Sequence, residues 1–260
     1  MKSLGLIKAS LDGYKIVITG AGTGIGFSTS CLFADLGASV ALNYLPEDHY
    51  AMDSVNLLEN KFSKVYGIPG DVSDELQAKK VIQDSCNCLN GIDWLVNNAG
   101  ISLVEEPIPF SDLDKLDDNF WDQIISVNLM SAFYCSKAAA LELKKTKGAI
   151  VNISSVASNG KRGTSIPYSV SKGALETLTI SLAKALAPEI RVNAVAPGFT
   201  NTRMTSTRSK EHKNRMGEQT LLYRIAQPEE IAEVILFLCV SGSYVNGEII
   251  NVNGGQGYIY

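Results

Sequence analysis

The sequence predicts one α/β domain, a doubly wound parallel sheet of about seven strands with helices on both faces. Seven short runs rich in β-branched residues alternate with longer segments of helical length. Several of these runs are apolar nearly throughout, as expected of strands that are covered on both faces. No internal repeat and no Ser/Pro-rich linker divides the 260 residues, so residues 1–260 are predicted to form a single domain.

The predicted elements follow one another in strict alternation. The strands are expected at residues 15–19, 39–43, 64–68, 92–96, 149–154, 190–195 and 248–252. The helices are expected at about 24–36, 47–61, 74–89, 117–144, 167–187 and 228–239. Alternating strands and helices form βαβ units with right-handed crossovers, which is why the sheet is predicted to be parallel.

Composition and charge exclude several classes of protein. Hydrophobic residues make up 45% of the chain and charged residues 19%, which argues against a disordered protein. Lys and Arg number 23 against 27 Asp and Glu, giving a net charge of −4 and a pI near 5.3. A mildly acidic chain lacks the basic surface typical of nucleic-acid-binding and membrane-surface proteins. We therefore expect neither as a partner.

The cysteines and the chain start favour a cytoplasmic protein. Five scattered cysteines, with no second close pair and no His cluster, predict reduced thiols and no metal site. The first 15 residues contain no long apolar region of the kind found in a leader. The most apolar stretch, residues 231–240, is about half the length of a membrane-spanning helix.

A glycine-rich turn follows the first predicted strand. Its sequence is Thr-Gly-Ala-Gly-Thr-Gly-Ile-Gly, and its residues of interest are Gly20, Thr23, Gly24, Ile25 and Gly26. Glycines permit a tight turn and let a diphosphate approach the amides at a helix N-terminus. The spacing G-x-x-x-G-x-G differs from the common G-x-G-x-x-G pattern, but its place in a βαβ unit favours nucleotide binding over a plain loop.

Further polar motifs follow later strands. The fourth strand ends in Asn-Asn-Ala-Gly at 97–100, where the carboxyl edge of a parallel sheet lines a ligand crevice. Ser155 lies thirteen residues before Tyr168, and Tyr168 lies four residues before Lys172. A Tyr and a Lys at this spacing share one face of a helix. Each motif alone also fits a turn or a packed surface pair.

Together and in this order, the motifs resemble the short-chain dehydrogenase/reductase family, in its classical branch. The resemblance runs from Leu11 to Gly255 and includes Asn-Ala-Val-Ala-Pro-Gly at 193–198. It implies a Rossmann-like fold and an oxidoreductase that transfers a hydride between a nicotinamide cofactor and a secondary alcohol or ketone. Within this class a sugar, a polyol or a similar compound is the expected substrate, and a 3-oxoacyl-acyl-carrier-protein reductase is the alternative. A dinucleotide-binding regulator without turnover is the alternative from another class.

The resemblance also implies roles for four catalytic residues. Tyr168 matches the general acid/base, and a Lys172 ammonium beside it, with the positive charge of an oxidised nicotinamide, is expected to lower its pKa from the usual value of about 10. Ser155 matches the hydroxyl that polarises the reacting oxygen, in preference to Ser154. Asn128 matches the helix residue that supports a water path to the Lys.

Cofactor residues are implied in the same way. Lys172 and Tyr168 match the contacts to the nicotinamide ribose. The remaining expected cofactor contacts are Gly20, Thr23, Gly24, Ile25, Gly26, Asn43, Asp71, Val72, Asn97, Ala99, Gly100, Pro197, Gly198, Thr200 and Thr202.

The choice between NAD and NADP rests on local charge. Asn43, at the end of the second strand, carries no charge with which to reject a 2′-phosphate. No Lys or Arg occurs between Thr19 and His49, so a basic residue could reach that phosphate only if a distant segment folds back. We expect a modest preference for NAD over NADP.

Two long loops are expected to border the substrate. One, at 101–118, is acidic, and the other, at about 199–227, is basic and matches the mobile substrate lid of the family. The basic residues fit either an anionic substrate or a solvated helix face. The resemblance further implies a homo-oligomer, a tetramer or dimer, paired through the long helices at 117–144 and 167–187.

Overall fold

The computed structural model describes residues 10–160 and 163–257, which form a seven-stranded, all-parallel sheet in the order β3-β2-β1-β4-β5-β6-β7. The strands are β1 (Lys15–Ile18), β2 (Ser39–Tyr44), β3 (Val65–Pro69), β4 (Trp94–Asn97), β5 (Ala149–Ile153), β6 (Arg191–Pro197) and β7 (Ile249–Val252). The strand order reverses between β1 and β4, and ligands of doubly wound sheets bind at the carboxyl ends of the strands beside such a reversal. Most of the segment expected to lack a leader lies outside the described residues.

Eight α-helices are described. They are α1 (Gly24–Asp35), α2 (His49–Lys61), α3 (Glu75–Leu89), α4 (Asp118–Ile125), α5 (Ser131–Thr146), α6 (Ile166–Leu186), α7 (Lys210–Glu218) and α8 (Pro228–Val240). A π-helical turn, Ser126–Met130, joins α4 to α5. Short 3-10 turns lie at Leu113–Lys115, Val156–Asn159 and Arg203–Thr205.

The sheet separates two hydrophobic cores. Along β1, Ile16 and Ile18 belong to the core shared with α1, α2 and α8, whereas Val17 belongs to the core shared with α3, α5 and α6. This alternation follows from the two-residue period of a strand, and both faces are apolar because both are covered by helices. The predicted fold class, a doubly wound parallel sheet with helices on both faces, is therefore confirmed.

Two elements differ from the sequence-based expectation. The helix expected at 117–144 is broken by the π turn into α4 and α5, and α7 lies inside the loop expected at 199–227. The ends of that loop pair through a bridge between Thr200 and Ala226, so the loop leaves and rejoins the sheet edge at one place.

The helical segment Asp118–Thr146 is the one stretch of the described residues that is long and apolar enough to cross a membrane. Within it, α5 buries Cys135, Ala139 and Leu143 completely in the core beside β4 and α3. Its apolar character is thus explained by its place as a core helix of the fold.

Candidate active site

A cavity of about 780 Å³ lies at the carboxyl ends of the central strands. The turn after β1 and the ends of β4, β5 and β6 form its floor, and the excursion between β6 and α8 forms one wall. Three of the four expected catalytic residues, Ser155, Tyr168 and Lys172, line it.

Tyr168 is held in place by the first turn of α6. Ser165 caps this helix, and its hydroxyl accepts the Tyr168 backbone N–H at 3.3 Å. The Tyr168 and Ser155 hydroxyls are hydrogen-bonded to each other. Ser154, the less favoured alternative, instead donates to Glu176 Oε1 at 2.8 Å and so binds β5 to α6. The geometry therefore separates the two serines: Ser155 meets Tyr168 at the cavity, and Ser154 joins β5 to α6.

Lys172 lies one helical turn beyond Tyr168 and is only 4% exposed. Its ammonium donates to the Ile153 carbonyl at 2.8 Å and lies 5.9 Å from the centre of the Tyr168 ring. Burial lowers the pKa of Lys172 to about 8 because the charged form loses its hydration.

The pKa of Tyr168 moves opposite to the sequence-based expectation. Burial raises it above its ordinary value, and the hydrogen bond with Ser155 only partly opposes that effect. Desolvation of the phenolate therefore outweighs any help from Lys172. Tyr168 is therefore a neutral hydroxyl at neutral pH.

Asn128 does not line the cavity but lies directly behind it, in the π turn. Its Oδ1 accepts the Ile101 N–H at 2.8 Å and its Nδ2 donates to the Ile101 carbonyl at 3.0 Å. A second N–H of the amide binds Ser171 Oγ at 3.1 Å. The Asn128 amide therefore links the loop after β4 to α6 by hydrogen bonds, next to Gly100 and Lys172.

The glycine-rich turn has the form of a diphosphate cradle. Gly20 adopts a φ of +59°, and a Cβ there would lie 2.8 Å from Ala99 Cα, so only glycine fits. Helix α1 begins at Gly24 after Thr23, and no side chain caps this end and no acidic residue lies in its first turn. An uncapped helix N-terminus that lines a cavity offers backbone amides and a positive dipole end to an anion.

Two expected cofactor residues are placed away from the cavity. Asn97 points into the core, where its Nδ2 donates to Asn152 Oδ1 at 2.8 Å. Gly26 lies behind the turn, and a Cβ there would come within 2.5 Å of Asn98 Nδ2. Successive strand residues face opposite sides, so it is the next residue, Asn98, that lines the cavity and binds the Thr19 and Gly20 carbonyls at 2.9 Å. Asn98 is the second Asn of the Asn-Asn-Ala-Gly motif, and this motif is the sequence feature that could have identified it as a residue of the cavity.

Asn43 lines the cavity, but its amide serves the fold. Both N–H groups donate to carbonyls, of Ile68 at 3.1 Å and of Gly70 at 2.9 Å. Its Oδ1 accepts the Gly20 N–H at 3.3 Å, so little capacity is left for a ribose hydroxyl. Asp48, which follows β2, also lines the cavity, and Arg203 from the loop between β6 and α8 binds its carboxylate at 2.6 Å. A distant base thus folds back to this edge, which the sequence had left open.

The other expected cofactor residues line the cavity. They are Thr23, Gly24, Ile25, Asp71, Val72, Ala99, Gly100, Pro197, Gly198, Thr200 and Thr202. Asp71 also accepts the Ser73 N–H at 2.9 Å, and Thr200 donates to the Gly198 carbonyl at 3.0 Å, so both stabilise their own turns.

The cavity also holds polar atoms that the protein does not satisfy. Gln256 Oε1 and Thr164 Oγ1 are buried and have no hydrogen-bond partner among the residues that the structure describes, and both residues line the cavity. Buried polar atoms are rarely left unpaired in folded proteins. With the glycine cradle and the uncapped helix end, these atoms fit a polar, dinucleotide-sized ligand.

Comparison with known proteins gives one consistent result. The family model described as enoyl-(acyl carrier protein) reductase matches residues 20–256. The 3-oxoacyl-[acyl-carrier-protein] reductase FabG of Aquifex aeolicus is 37% identical, over 96% of this chain and all of that protein. An uncharacterised oxidoreductase of Thermotoga maritima is 35% identical, over 95% of this chain and 98% of that one.

Solved structures agree with the sequence matches. A glucose/ribitol dehydrogenase-type protein of Brucella melitensis superposes with a TM-score of 0.86 at 33% identity, covering 98% of this chain and 100% of that chain. A short-chain dehydrogenase of Burkholderia cenocepacia in complex with NADP gives a TM-score of 0.85 at 28% identity, covering 95% and 99%.

The fold, the cradle and the matches define this protein as an NAD(P)-dependent oxidoreductase acting on CH–OH groups. More particularly, the chain belongs to the short-chain dehydrogenase/reductase family.

Proposed function

We propose that the protein interconverts a small secondary alcohol and its ketone, with Ser155, Tyr168 and Lys172 as the catalytic residues. The observation that carries this proposal is the hydrogen-bonded pair of hydroxyls, Ser155 and Tyr168, in the cavity with the Lys172 ammonium close by. Asn128 acts as a positioning residue, because its amide fixes the loop beside Gly100 and the helix that carries Lys172.

Each side chain has a separate task in ketone reduction. The bound nicotinamide supplies the hydride. Ser155 donates to the carbonyl oxygen and orients it, and neutral Tyr168 transfers its proton to that oxygen as negative charge develops. The Lys172 ammonium then stabilises the phenolate that Tyr168 leaves behind. Alcohol oxidation is the same sequence in reverse.

The cofactor is proposed to lie along the cradle, with its diphosphate at the first turn of α1 and its nicotinamide ribose on Tyr168 and Lys172. A modest preference for NAD is proposed because Asp48 lies on the β2 edge of the cavity. Arg203 weakens that preference, since it is a base within reach of the same edge.

Two classes of substrate fit the proposed reaction. A sugar, polyol or similar hydroxyl compound is the leading class, and one structural relative is named as a glucose/ribitol dehydrogenase. A 3-oxoacyl-acyl-carrier-protein reductase is the second candidate, because several relatives at 35–37% identity bear that name. A non-catalytic regulator is disfavoured, since it has no need of the Ser155–Tyr168 pair.

We also propose that the protein is a cytoplasmic homo-oligomer, a tetramer or a dimer. The five cysteines are all free thiols, as expected in a reducing compartment. The exposed faces of α5 and α6 carry apolar side chains, including Leu141 and Ile180, that suit a contact between subunits.

The catalytic assignment is tested by Tyr168→Phe, with Tyr134→Phe on α5 as a control outside the cavity. Loss of the proton donor is expected to lower kcat by about 10²- to 10⁴-fold. Binding of NADH, followed by its fluorescence, is expected to stay near the wild-type value. A Tyr168→Phe enzyme that keeps more than about half of the wild-type turnover contradicts the assignment.

A further inference from the structure

Arg208 is a buried cation on the lid side of the cavity. It lies between the 3-10 turn Arg203–Thr205 and α7, it lines the cavity, and its residue exposure is 6%. Arginine is almost never buried to this extent without partners, because an ion that leaves water needs replacement hydrogen bonds.

The partners of Arg208 within the protein are incomplete. Nη2 reaches the Val104 carbonyl at 3.5 Å, the outer limit of a hydrogen bond. Nη1 lies 3.2 Å from Glu106 Oε2, yet it is buried and forms no hydrogen bond with any residue that the structure describes. The Glu106 side chain is 73% exposed, so water already solvates its charge. The guanidinium of Arg208 therefore has N–H groups at the cavity that are available to a ligand.

Arg215 of α7 is a second cation on the same side of the cavity, besides the exposed carboxylate of Glu106. His212 of α7 lines the same cavity, and Arg215 Nη2 lies 3.3 Å from His212 Nδ1. Burial and the neighbouring Arg215 and Arg208 lower the pKa of His212, so its ring is neutral at neutral pH. Among the described residues that line the cavity, the only carboxylates are Asp48 and Asp71, which follow β2 and β3 at the cradle end. The half of the cavity next to the lid thus attracts anions, whereas the cradle end holds the acidic groups.

We infer that the substrate is a small hydroxy or oxo acid, whose carboxylate is bound by Arg208 while its reacting carbon lies at Ser155 and Tyr168. This inference rests on the proposed function. The planar guanidinium fork matches a carboxylate in geometry and charge, and such a bond would satisfy the orphaned Nη1. A carrier-bound thioester has no charge near its carbonyl and would leave the buried Nη1 of Arg208 without a hydrogen bond.

The experiment compares acids with their neutral esters. Pyruvate, acetoacetate and 4-oxopentanoate are each paired with the methyl ester, and S-acetoacetyl-N-acetylcysteamine represents a carrier thioester. Binding is measured by calorimetry with and without NAD, and KM and kcat are measured with NADH and with NADPH. The variants are Arg208→Gln and, as a control that removes an exposed charge outside the cavity, Lys210→Gln.

We expect at least one acid to bind better than its ester. Arg208→Gln is expected to weaken the binding of that acid by about 10- to 100-fold, as for the loss of a hydrogen bond to a charged group. Lys210→Gln and all ester values are expected to stay near wild type. Glu106→Gln removes the exposed carboxylate that competes for Arg208, and this variant is expected to bind the acid about 2- to 5-fold more tightly. This second variant decides the matter if Arg208→Gln does not fold.

The inference is overturned if no acid binds to the wild type, if ester or thioester is preferred, or if both Arg208→Gln and Glu106→Gln leave the acid unchanged. Tyr168-dependent turnover of a neutral ketone in such a case leaves the proposed function intact. Binding of an acid through Arg208 with no turnover of any carbonyl compound supports the anion site and contradicts the proposed reaction instead.

Discussion

Lys172 loses its proton at a lower pH in the folded protein than in the unfolded chain. Its pKa is about 8 in the folded protein, against an ordinary value of about 10.5 when the chain is unfolded. Below pH 8 both states hold the proton, and the buried charge destabilises the fold. Between pH 8 and pH 10.5 the unfolded chain holds more protons, so the free energy of unfolding contributed by this group rises with pH.

We predict that wild type gains about 2 kcal/mol of unfolding free energy, relative to Lys172→Met, between pH 7 and pH 9.5. Burial also raises the pKa of Cys135 and of Cys239 to about 12, so above pH 9 these thiols lower the free energy of unfolding as the pH rises. Their effect is the same in both proteins, and we therefore compare the difference in unfolding free energy between wild type and Lys172→Met. Denaturant unfolding at both pH values measures it. Parallel pH profiles for the two proteins would show that Lys172 is not desolvated.

The pair formed by Asp48 and Arg203 is expected to set the cofactor preference. Asp48→Asn frees Arg203 for a 2′-phosphate, and Asn retains the cap that Asp48 provides to the Ala51 N–H. We predict that this variant shifts kcat/KM by about 3- to 30-fold towards NADP, and that Arg203→Gln shifts it towards NAD.

The shift is measured with one substrate and both cofactors, and Kd values from nicotinamide fluorescence separate binding from turnover. If Asp48→Asn and Arg203→Gln move the preference in the same direction, this pair does not control the choice. Asn43 is a poorer target than its position suggested, because an aspartate there would face the Ile68 and Gly70 carbonyls.

At the scale of elements, the end of β5 divides its two serines between fold and chemistry. Ser154 binds α6 through Glu176, whereas Ser155 caps the 3-10 turn Val156–Asn159 and meets Tyr168. We predict that Ser154→Ala lowers the free energy of unfolding by about 1–3 kcal/mol and leaves kcat within about threefold. Ser155→Ala is predicted to lower kcat by about 10²- to 10³-fold, and loss of its cap on the 3-10 turn is predicted to cost about 0.5–1 kcal/mol of unfolding free energy. Paired melting and kinetic data test this, and an exchange of the two outcomes would reverse the assignment.

The sequence predicted the elements whose pattern is local. Most of the strands were recognisable because their runs are apolar and buried on both faces. The observed ends of all seven differ from the expected ones by about two residues at most. The π turn was not predicted, and Asn128 within it binds Ile101, a partner 27 residues away, so this contact leaves no local pattern in the sequence. The anchoring of Asn97 in the core likewise depends on which face of β4 each residue takes. Arg208 appeared in the sequence only as one basic residue of a loop, since burial and pairing with Glu106 are properties of the folded chain.

At the scale of the whole molecule, the helix layer that contains α5 and α6 leaves several apolar side chains uncovered. Helices α5 and α6 pack their buried sides against the sheet, yet both leave large apolar side chains in water. These are Phe133, Leu141, Val170 and Ile180. Apolar side chains gathered on neighbouring helices mark subunit contacts more often than isolated exposed leucines do.

We predict that the wild type runs in light scattering as a multiple of 28.0 kDa, with four subunits expected, and that Ile180→Glu lowers the mass to a smaller species. A carboxylate at this position would lose its hydration in the contact without gaining a partner, which weakens association by several kcal/mol. Leu57→Glu on α2 is the matched control, because Leu57 is also exposed, at 64%, but lies on the other side of the sheet. Both variants should keep the wild-type melting behaviour of the monomer fold. A wild type that is monomeric at micromolar concentration, or an Ile180→Glu protein as large as Leu57→Glu, contradicts the role of this face, and the apolar side chains of α5 and α6 would then need another partner to cover them.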